Sequence, residues 1–363
     1  MARIVTVYRP GRAKFVPVDM SLIRWLKISE ALARAGHEVD IAGNEPGLAR
    51  WLPVRMGERL RRVPLARVRW ERYDVVKTLF HLGFEALERH GGDRHPFIIA
   101  KLGSVVGDRD ETGVYFYGEE RRQLFDVQRR IAERARYVTL LSEPSRALWR
   151  ACHGARGREL LVPGAVDAEV PARGASPYAP GARVCVFAGN IYDEWYQAAV
   201  HRTLVGKINE LGRHLHERGI RLHVLGHGDH SRIDAQSVSC HGAVPYDETW
   251  DYLRFADVGL VLAFGPEPNH NESTKLYHYL RVGLPTVCEA GFPNEALVEQ
   301  AGLGTVARNG DMRAVADAVE RCLAASWDRE RAIAFVCEHH TWDARARVYD
   351  ALIAPELTPR TRS

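Results

Sequence analysis

The sequence predicts two successive doubly wound α/β domains, each built on a parallel sheet. Short apolar runs typical of strands alternate with amphipathic stretches typical of helices along almost the whole chain. The alternation breaks at residues 171–181, where three Pro and two Gly fall within eleven residues, a composition typical of a linker. A chain of 363 residues is also long enough for two domains with separate cores.

The N-terminal half opens with a strand–helix–strand unit. A strand is predicted over residues 3–8, then a helix that Asp19 caps, then a strand over 38–42. Such a unit requires parallel strands joined by a right-handed crossover. Further strands are predicted at 74–77, 97–100, 137–141 and 160–163, and helices at 118–133 and 144–152. Residues 44–72 and 103–117 show no clear periodicity and stay unassigned.

The alternation restarts after the linker. Strands are predicted at 183–188, 221–225, 238–240, 258–262 and 285–288, and helices near 195–218, 247–256, 273–282, 293–300, 311–325, 328–337 and 341–353. The predicted division is a domain at 1–165, a linker at 166–182, a domain at 183–340 and a C-terminal helix and tail at 341–363. Ligands of such sheets bind beyond the carboxyl ends of the strands, so two facing domains predict a cleft with one ligand held by each.

Composition narrows the class of protein. A net charge of +4 argues against a polyanion-coating protein, and nucleic acid is not an expected partner. No apolar run reaches the roughly 18–20 residues of a membrane span, and the N-terminal apolar run is too short for a secretory signal. The six Cys are dispersed without any CxxC pair, which favours free thiols in a reduced compartment. We therefore expect a cytoplasmic enzyme.

Peripheral contact with the inner face of a membrane is left open. Trp25, Trp51 and Trp70 stand near several arginines in the first half, a combination that an amphipathic membrane-facing surface would use. Ordinary packing of single Trp side chains in the core is the alternative.

The most informative stretch begins at residue 270. Ser273 or Thr274 begins a helix directly after the loop at 264–268, and the first turn of a helix offers N–H groups and a positive dipole end to a phosphate. Lys275 is one of only six lysines, against 44 arginines, and lies in that same turn. A cation there opposes the helix dipole unless an anion is close. The pattern is consistent with a diphosphate site and equally with a plain N-cap beside a solvated lysine.

This helix ends in Gly283-Leu-Pro285 before a strand, which resembles the donor-site motif of GT-B glycosyltransferases, especially the retaining family 4 (group 1) type. In that family the motif is Glu, seven residues, a second Glu, and then the helix that ends in Gly-x-Pro. Further segments resemble the family in the same order: 161–167 its interdomain segment, 186–190 the first strand and turn of the nucleotide domain, 224–228 a Gly-x-Gly strand end, 241–248 the flank of the nucleotide base, and 294–304 the region after the motif. The resemblance is good over 160–325 and loose before it.

The resemblance implies a retaining, metal-independent transferase with no cofactor beyond its nucleotide-diphosphate sugar donor. The second domain would hold the donor and the first an acceptor that could be a glycan, a lipid-linked compound or a small molecule. The donor-binding residues implied are Gly11, Arg12, Gly189, Asn190, Gly226, His227, Val244, Ser273, Thr274, Lys275 and His278. Departure of the nucleotide diphosphate would be assisted by Lys275.

Both motif glutamates are replaced. The first falls on His270 and the second, which holds the ribose in the family, on His278. An imidazole donates and accepts hydrogen bonds, so His278 can still hold ribose hydroxyls. His270 cannot reproduce a carboxylate, and Glu272 is the candidate to take its place; the catalytic set is then Lys275, Glu272 and His270. The alternative is a decayed site with His278 on the helix surface.

The phosphate clamp also departs from the family. Where family members carry basic residues after the first strand of the second domain, residues 190–196 are acidic and aromatic. The diphosphate charge would be met by Lys275, by the helix N–H groups, or by Arg9, Arg12 and Lys14 in the loop after the first strand of the chain. A solvated basic loop is the alternative for those three.

Two other interpretations of the whole chain compete with a transferase. One is a nucleotide-sugar epimerase on the same architecture, because a fold does not fix an activity. The other is a non-catalytic protein that binds a sugar nucleotide or a glycan, favoured by the loss of both motif glutamates. No metal site is expected: Asp108 and Asp110 are interpreted as a charged turn, and Cys337, His339 and His340 lack the second half of a zinc motif.

Overall fold

The computed structural model describes residues 1–8, 20–43, 53–107, 118–195, 198–265 and 270–357. The chain divides into two compact units, Met1–Pro163 with Trp342–Ser363 (unit 1) and Gly164–Thr341 (unit 2). Each unit is a parallel-sheet α/β body, which confirms the predicted fold class. Within the described residues, no helix has the length and apolar character that crossing a bilayer requires.

Unit 1 is built on an eight-stranded sheet. Its strands are β1 Arg3–Val7, β2 Glu38–Gly43, β3 Val54–Arg55, β4 Leu60–Pro64, β5 Val75–Leu79, β6 Ile98–Lys101, β7 Tyr137–Leu140 and β8 Glu159–Leu161, in the order β3-β4-β2-β1-β5-β6-β7-β8. All pairs are parallel except β3 with β4, a departure from the wholly parallel sheet predicted. Both strands lie in the stretch left unassigned, because β3 has two exposed residues and β4 carries adjacent arginines that hide any alternation.

Helices cover both faces of this sheet. They are α1 Met20–Arg34, α2 Phe80–Arg89, α3 Gly118–Arg134, α4 Glu143–His153 and, from the end of the chain, α11 Trp342–Leu357. Helix α11 belongs to unit 1, where Asp343 pairs with Arg34 at 2.8 Å and the Tyr349 hydroxyl lies 3.2 Å from the Thr139 hydroxyl. The helix expected at 341–353 is therefore present as α11 and packs within unit 1.

Trp25 is a core residue of unit 1. Its side chain is 3% exposed, and its indole N–H donates to the Thr6 hydroxyl at 3.0 Å. Trp70 packs against the core and donates to the carbonyl of His90 at 3.0 Å. The interpretation of Trp25 as part of a membrane-facing surface is wrong, because the small Gly43 leaves room for the indole inside the unit. Trp51 and Asp19 lie outside the described residues.

Unit 2 is built on a six-stranded sheet with every pair parallel. Its strands are β9 Arg183–Ala188, β10 Ile220–Leu225, β11 Val238–Cys240, β12 Val258–Val261, β13 Thr286–Glu289 and β14 Gly304–Ala307, in the order β11-β10-β9-β12-β13-β14. Its helices are α5 Ala198–His216, α6 Tyr246–Arg254, α7 Thr274–Arg281, α8 Leu297–Gln300, α9 Met312–Ala324 and α10 Arg329–His339. Helix α8 is shorter than the predicted 293–300, because Asn294 and Glu295 use their side chains to hold neighbouring loops.

The Pro- and Gly-rich segment at 171–181 is anchored on unit 2. The N–H of Gly174 donates to Asp251 at 3.0 Å, and the hydroxyl of Tyr178 donates to the carbonyl of Tyr252 at 2.7 Å. Both partners belong to α6. The segment therefore packs as part of this unit, although its composition is that of a linker.

All six cysteines are free thiols, as expected from their spacing. Cys185, Cys288 and Cys322 are buried, whereas Cys240 is exposed.

Candidate functional site

The strand order of unit 2 places an opening at the carboxyl ends of β9 and β12. The chain runs from β9 outward through β10 and β11, then crosses back to β12 on the other side of β9. The loops that leave β9 and β12 therefore turn to opposite sides of the sheet. In open α/β sheets this topological switch point is where ligands bind. Gly189 follows β9 at this point, and α7 is the first helix after β12.

Close backbone packing shapes the floor of the opening. The N–H of Gly189 donates to the carbonyl of Leu225 at 2.7 Å, and that of Ile191 to the carbonyl of His227 at 2.7 Å. Gly226 has φ +148°, and a Cβ atom there would collide with the Gly189 carbonyl. The predicted donor-site residues Gly189, Gly226 and His227 are therefore adjacent. Asn190, which follows Gly189, and His227 are exposed.

Lys275 lies at the same point. Its Nζ atom is 4.9 Å from the centroid of the Phe187 ring and 5.9 Å from that of Phe264. A Cβ atom at Gly189 would lie 2.7 Å from this Nζ. The structure thus brings Gly189 and Lys275 together from opposite sides of the switch point, and the two aromatic faces attract the ammonium group.

The N-terminus of α7 carries Lys275 in its first turn. Ser273, its N-cap, makes no side-chain capping hydrogen bond, and the first turn holds no acidic residue. The positive end of the helix dipole is therefore not neutralised by the helix itself.

One predicted phosphate donor is already occupied. The N–H of Ser273 donates to the side-chain oxygen of Asn294 at 2.9 Å, while the side-chain amide of Asn294 donates to the Ser273 carbonyl at 2.9 Å. Asn294 therefore fixes the start of α7, next to the half-buried Thr274. Sequence reasoning placed Asn294 only in the region after the motif and missed this role.

Glu272 is buried, with 8% of its surface exposed. One carboxylate oxygen accepts from the Tyr277 hydroxyl at 2.7 Å, and the other accepts from the N–H of Gly164. The carboxylate thereby ties the segment that follows β8 to the beginning of α7. His270 stands two residues earlier and is half-buried.

His278 is also buried, at 8% exposure, so the alternative of a helix-surface residue is wrong. Its Nδ1 is 2.9 Å from the Thr274 carbonyl, which requires the proton on Nδ1, and its Nε2 then accepts from the Tyr246 hydroxyl at 3.2 Å. The ring stacks on Trp250 with centroids 5.2 Å apart. Both nitrogens are thus used inside unit 2, and contact with a ribose stays a prediction. Val244 is half-buried shortly before α6.

The acidic, aromatic loop after β9 contains a strained residue. Tyr192 has φ +67°, a conformation that costs a bulky residue on the order of 1–3 kcal/mol and that recurs at functional sites. Its carbonyl accepts from the N–H of Asp229 at 2.8 Å, and its ring meets Phe264 edge-on with centroids 5.6 Å apart. Glu194 pairs with Arg232 at 3.0 Å, and Trp195 beside it is 84% exposed.

Several predicted residues lie outside the described part of the chain: Arg9, Gly11, Arg12, Lys14, Asp108 and Asp110. Among the residues that are described, no three His, Cys, Asp or Glu side chains are grouped as metal ligands. His340, from the Cys337–His340 stretch, packs its ring against Tyr277 with centroids 5.2 Å apart.

Solved structures with the same fold cover nearly the whole chain. A sucrose-phosphate synthase from Thermosynechococcus elongatus is 15% identical with a TM-score of 0.70, over 97% of this chain and 100% of that one. AviGT4, a glycosyltransferase involved in avilamycin A biosynthesis, is 17% identical with a TM-score of 0.65, over 99% of each chain. Anabaena HepE in complex with UDP-glucose is 12% identical with a TM-score of 0.65, over 98% of this chain and 100% of that one.

No protein-family model matches the chain, and no curated protein matches it in sequence. At such low identities the structural likeness establishes the fold. The chain has the GT-B fold, as the resemblance seen in its sequence implied.

Proposed function

We propose that this protein is a glycosyltransferase that moves a sugar from a nucleotide-diphosphate donor to an acceptor, with retention at the anomeric carbon and without a metal ion. The observation that carries the proposal is the position of Lys275. Its ammonium group lies beside Gly189 at the switch point of unit 2 and in the first turn of α7, which has neither a side-chain cap nor an acidic residue.

This arrangement suits the departure of a nucleoside diphosphate. When the bond between the sugar and the diphosphate breaks, negative charge develops on the leaving oxygen. The ammonium group of Lys275 and the positive end of the α7 dipole are fixed in place and stabilise that negative charge electrostatically. Enzymes stabilise leaving groups in this way. In this proposal Lys275 and α7 do the work that a divalent cation does elsewhere, so turnover is expected to be unaffected by EDTA.

The nature of the donor is supported by the structural neighbours. HepE was crystallised with UDP, with UDP and glucose, and with UDP-glucose. We infer that unit 2 of this chain binds a donor of the same chemical class and that unit 1 receives the acceptor, whether a glycan, a lipid-linked compound or a small molecule.

The proposal is tested by product analysis. The protein is incubated with UDP-, GDP-, dTDP- and CMP-sugars and a panel of acceptors, and glycosylated products and released nucleotide are measured. Turnover with one nucleotide class, lost in Lys275→Ala, supports the proposal. Turnover that Lys275→Ala leaves unchanged removes Lys275 from the mechanism.

A second candidate function is a sugar-nucleotide-binding protein without transferase activity. It is favoured by the hydrogen bonds that Glu272 and His278 make within unit 2. His278 stands at the position of the family's second donor-site glutamate, and Glu272 is the candidate replacement for the first, whose position is His270. Tight binding of one nucleotide class without product formation across the acceptor panel would favour this candidate over the transferase.

A further inference from the structure

A buried ion pair lies at the carboxyl end of β13. Glu289, the last residue of that strand, is 0% exposed, and Lys207 of α5 reaches it with Nζ 2.9 and 2.8 Å from its two carboxylate oxygens. Burying two charges costs free energy, which their attraction returns only when the geometry is good and further hydrogen bonds are made. An apolar pair of the same volume is often as stable, so an ion pair of this kind is by itself weak evidence for stability.

The pair holds the peptide backbone directly after β12. One Glu289 oxygen accepts from the N–H of Ala263 at 2.6 Å, and Lys207 donates to the carbonyl of the same residue at 3.0 Å. Asn309 extends the clamp, because its side-chain oxygen accepts from Lys207 at 2.9 Å and its amide donates to the carbonyl of Gly265 at 2.9 Å. The backbone is thus fixed on both sides of Phe264.

The clamp is itself braced by the loop after β14. The second Glu289 oxygen accepts from the N–H of Gly310 at 2.8 Å. Gly310 has φ +82°, a backbone conformation that side chains of L-residues rarely adopt. Glu289 therefore links the loop that follows β12 to the loop that follows β14.

Phe264 is the contact between this clamp and the candidate site. Its ring centroid is 5.9 Å from Nζ of Lys275 and 5.6 Å from the ring centroid of the strained Tyr192. A shift of the backbone at Ala263 or Gly265 would move this ring and change the environment of the ammonium group.

We propose that Lys207, Glu289 and Asn309 are positioning residues that fix Phe264 and, through it, the Lys275 ammonium for a nucleoside diphosphate; this inference rests on the proposed function. The residues touch no ligand in this account and act only through Phe264. Substitution of an ordinary polar residue of the core lowers folding stability. Substitution of these positioning residues is expected to lower nucleotide affinity, and nucleotide affinity is therefore the quantity that distinguishes them.

The test is a double-mutant cycle between Asn309→Ala and Phe264→Ala. UDP, GDP and dTDP are titrated by calorimetry well below the unfolding temperature, and the tightest is used for all variants. Each single change is expected to weaken binding about 3- to 10-fold, and the double variant to bind no more weakly than Phe264→Ala, because the two act in series. Independent, multiplying effects, or wild-type affinity in Asn309→Ala, would overturn the proposal.

Two further variants separate positioning from stability. Asn309→Asp keeps an oxygen for Lys207 but loses the donor to Gly265, and should weaken nucleotide binding as Asn309→Ala does. Asp317→Ala removes the 2.6 Å contact with Arg218, which lies between α5 and the start of β10 at the other end of the sheet, and should lower the unfolding temperature without changing nucleotide affinity. Equal affinity in the Asn309 and Asp317 variants would overturn the positioning role.

The nucleotide affinity of Lys275→Ala is measured in the same experiment, so that failure of the proposed function can be told apart from failure of the positioning role. If the wild type binds none of the nucleotides, or Lys275→Ala binds them equally well, the proposed function fails and this inference fails with it. If Lys275→Ala loses binding while Asn309→Ala matches the wild type, the positioning role alone is overturned.

Discussion

Gly189 and Lys275 share a space that only one side chain can fill: a Cβ atom on Gly189 would lie 2.7 Å from the Nζ atom of Lys275. Gly189 is the first residue after β9 and Lys275 the second residue of α7, the helix that follows β12. Gly189 and Lys275 therefore meet between the carboxyl ends of β9 and β12, the two strands whose loops diverge. Doubly wound sheets bind their ligands at this point. The contact also makes the role of the glycine testable apart from the role of the lysine.

Gly189→Ala is expected to weaken nucleotide binding by displacing the ammonium group of Lys275. The φ angle of Gly189 is not in the left-handed region, so the methyl group acts through the lysine and not through backbone strain. Gly206→Ala is the matched control, since a Cβ atom there meets nothing within 4 Å on the exposed face of α5. It should raise the free energy of unfolding by roughly 0.5–1 kcal/mol and leave nucleotide affinity unchanged. Equal affinities in the two variants would contradict the account.

Lys275→Ala is expected to lower turnover by ~100-fold or more, the scale of losing one fixed donor to developing charge. The measurement is the release of nucleoside diphosphate from the sugar nucleotide at saturating donor. Lys27→Ala serves as control because Lys27 belongs to α1 of unit 1, where it pairs with Glu30 at 3.4 Å. The same loss of turnover in Lys275→Ala and Lys27→Ala would show that Lys275 has no specific role in the reaction.

Glu272→Ala is expected to destabilise the protein by about 1–3 kcal/mol, because it leaves the Gly164 N–H and the Tyr277 hydroxyl without their buried acceptor. Glu272→Gln keeps one oxygen for the Gly164 N–H, and its amide can donate to the Tyr277 oxygen, so most of the stability should return. Chemical denaturation of the three proteins measures this. An alanine variant as stable as the wild type would show that the contacts contribute nothing to folding.

Lys77 makes the stability of unit 1 depend on pH. It is fully buried on β5, its Nζ lies 4.7 Å from the centroid of the Tyr349 ring, and burial lowers the pKa of its ammonium from 10.5 to about 7. Between those two values the unfolded chain binds the proton more tightly than the folded chain. Stability should therefore rise with pH from about 7 toward 10.5, by up to ~1.4 kcal/mol per unit, and this contribution should be flat below pH 7.

Lys77→Met isolates this effect because it keeps the length of the side chain and removes the titrating group. The free energy of unfolding of both proteins is measured by denaturation from pH 6 to pH 10. The free energy of unfolding of the wild type should rise relative to that of Lys77→Met between about pH 7 and pH 10. A constant difference over the whole range would show that Lys77 is not buried as an unpaired amine.

The fold could be predicted because its evidence is local. Strands such as β9 and β11 are short apolar runs between turn residues, and their bounds in the structure match the predicted ones. Helix α2 was missed because Phe80 begins it in a left-handed conformation, φ +57°, without a capping residue. Strand β14 was missed because it is short and begins with a glycine whose φ of +136° no local pattern reveals.

The candidate site was predictable only in part. Lys275 and Gly189 were found because a rare lysine and a strand-ending glycine are visible in the sequence, and the structure places them together. The roles of Asn294 and Glu289 depend on side chains meeting backbone groups 21 and 26 residues away, which no local pattern encodes. For the same reason sequence reasoning assigned His278 to a ribose without seeing its hydrogen bond to Tyr246 or its stacking on Trp250.

The most direct test of the central claim is a thermal-shift measurement with UDP-, GDP-, dTDP- and CMP-sugars, with and without magnesium, on the wild type and Lys275→Ala. A ligand at ~100 times its dissociation constant adds about 2.7 kcal/mol to the stability of the folded state, which gives a clear shift. If Lys275 and α7 hold the diphosphate, one nucleotide class gives a shift that does not require magnesium and is lost in Lys275→Ala. No shift with any of them, or the same shift in the variant, would contradict that role of Lys275 and α7.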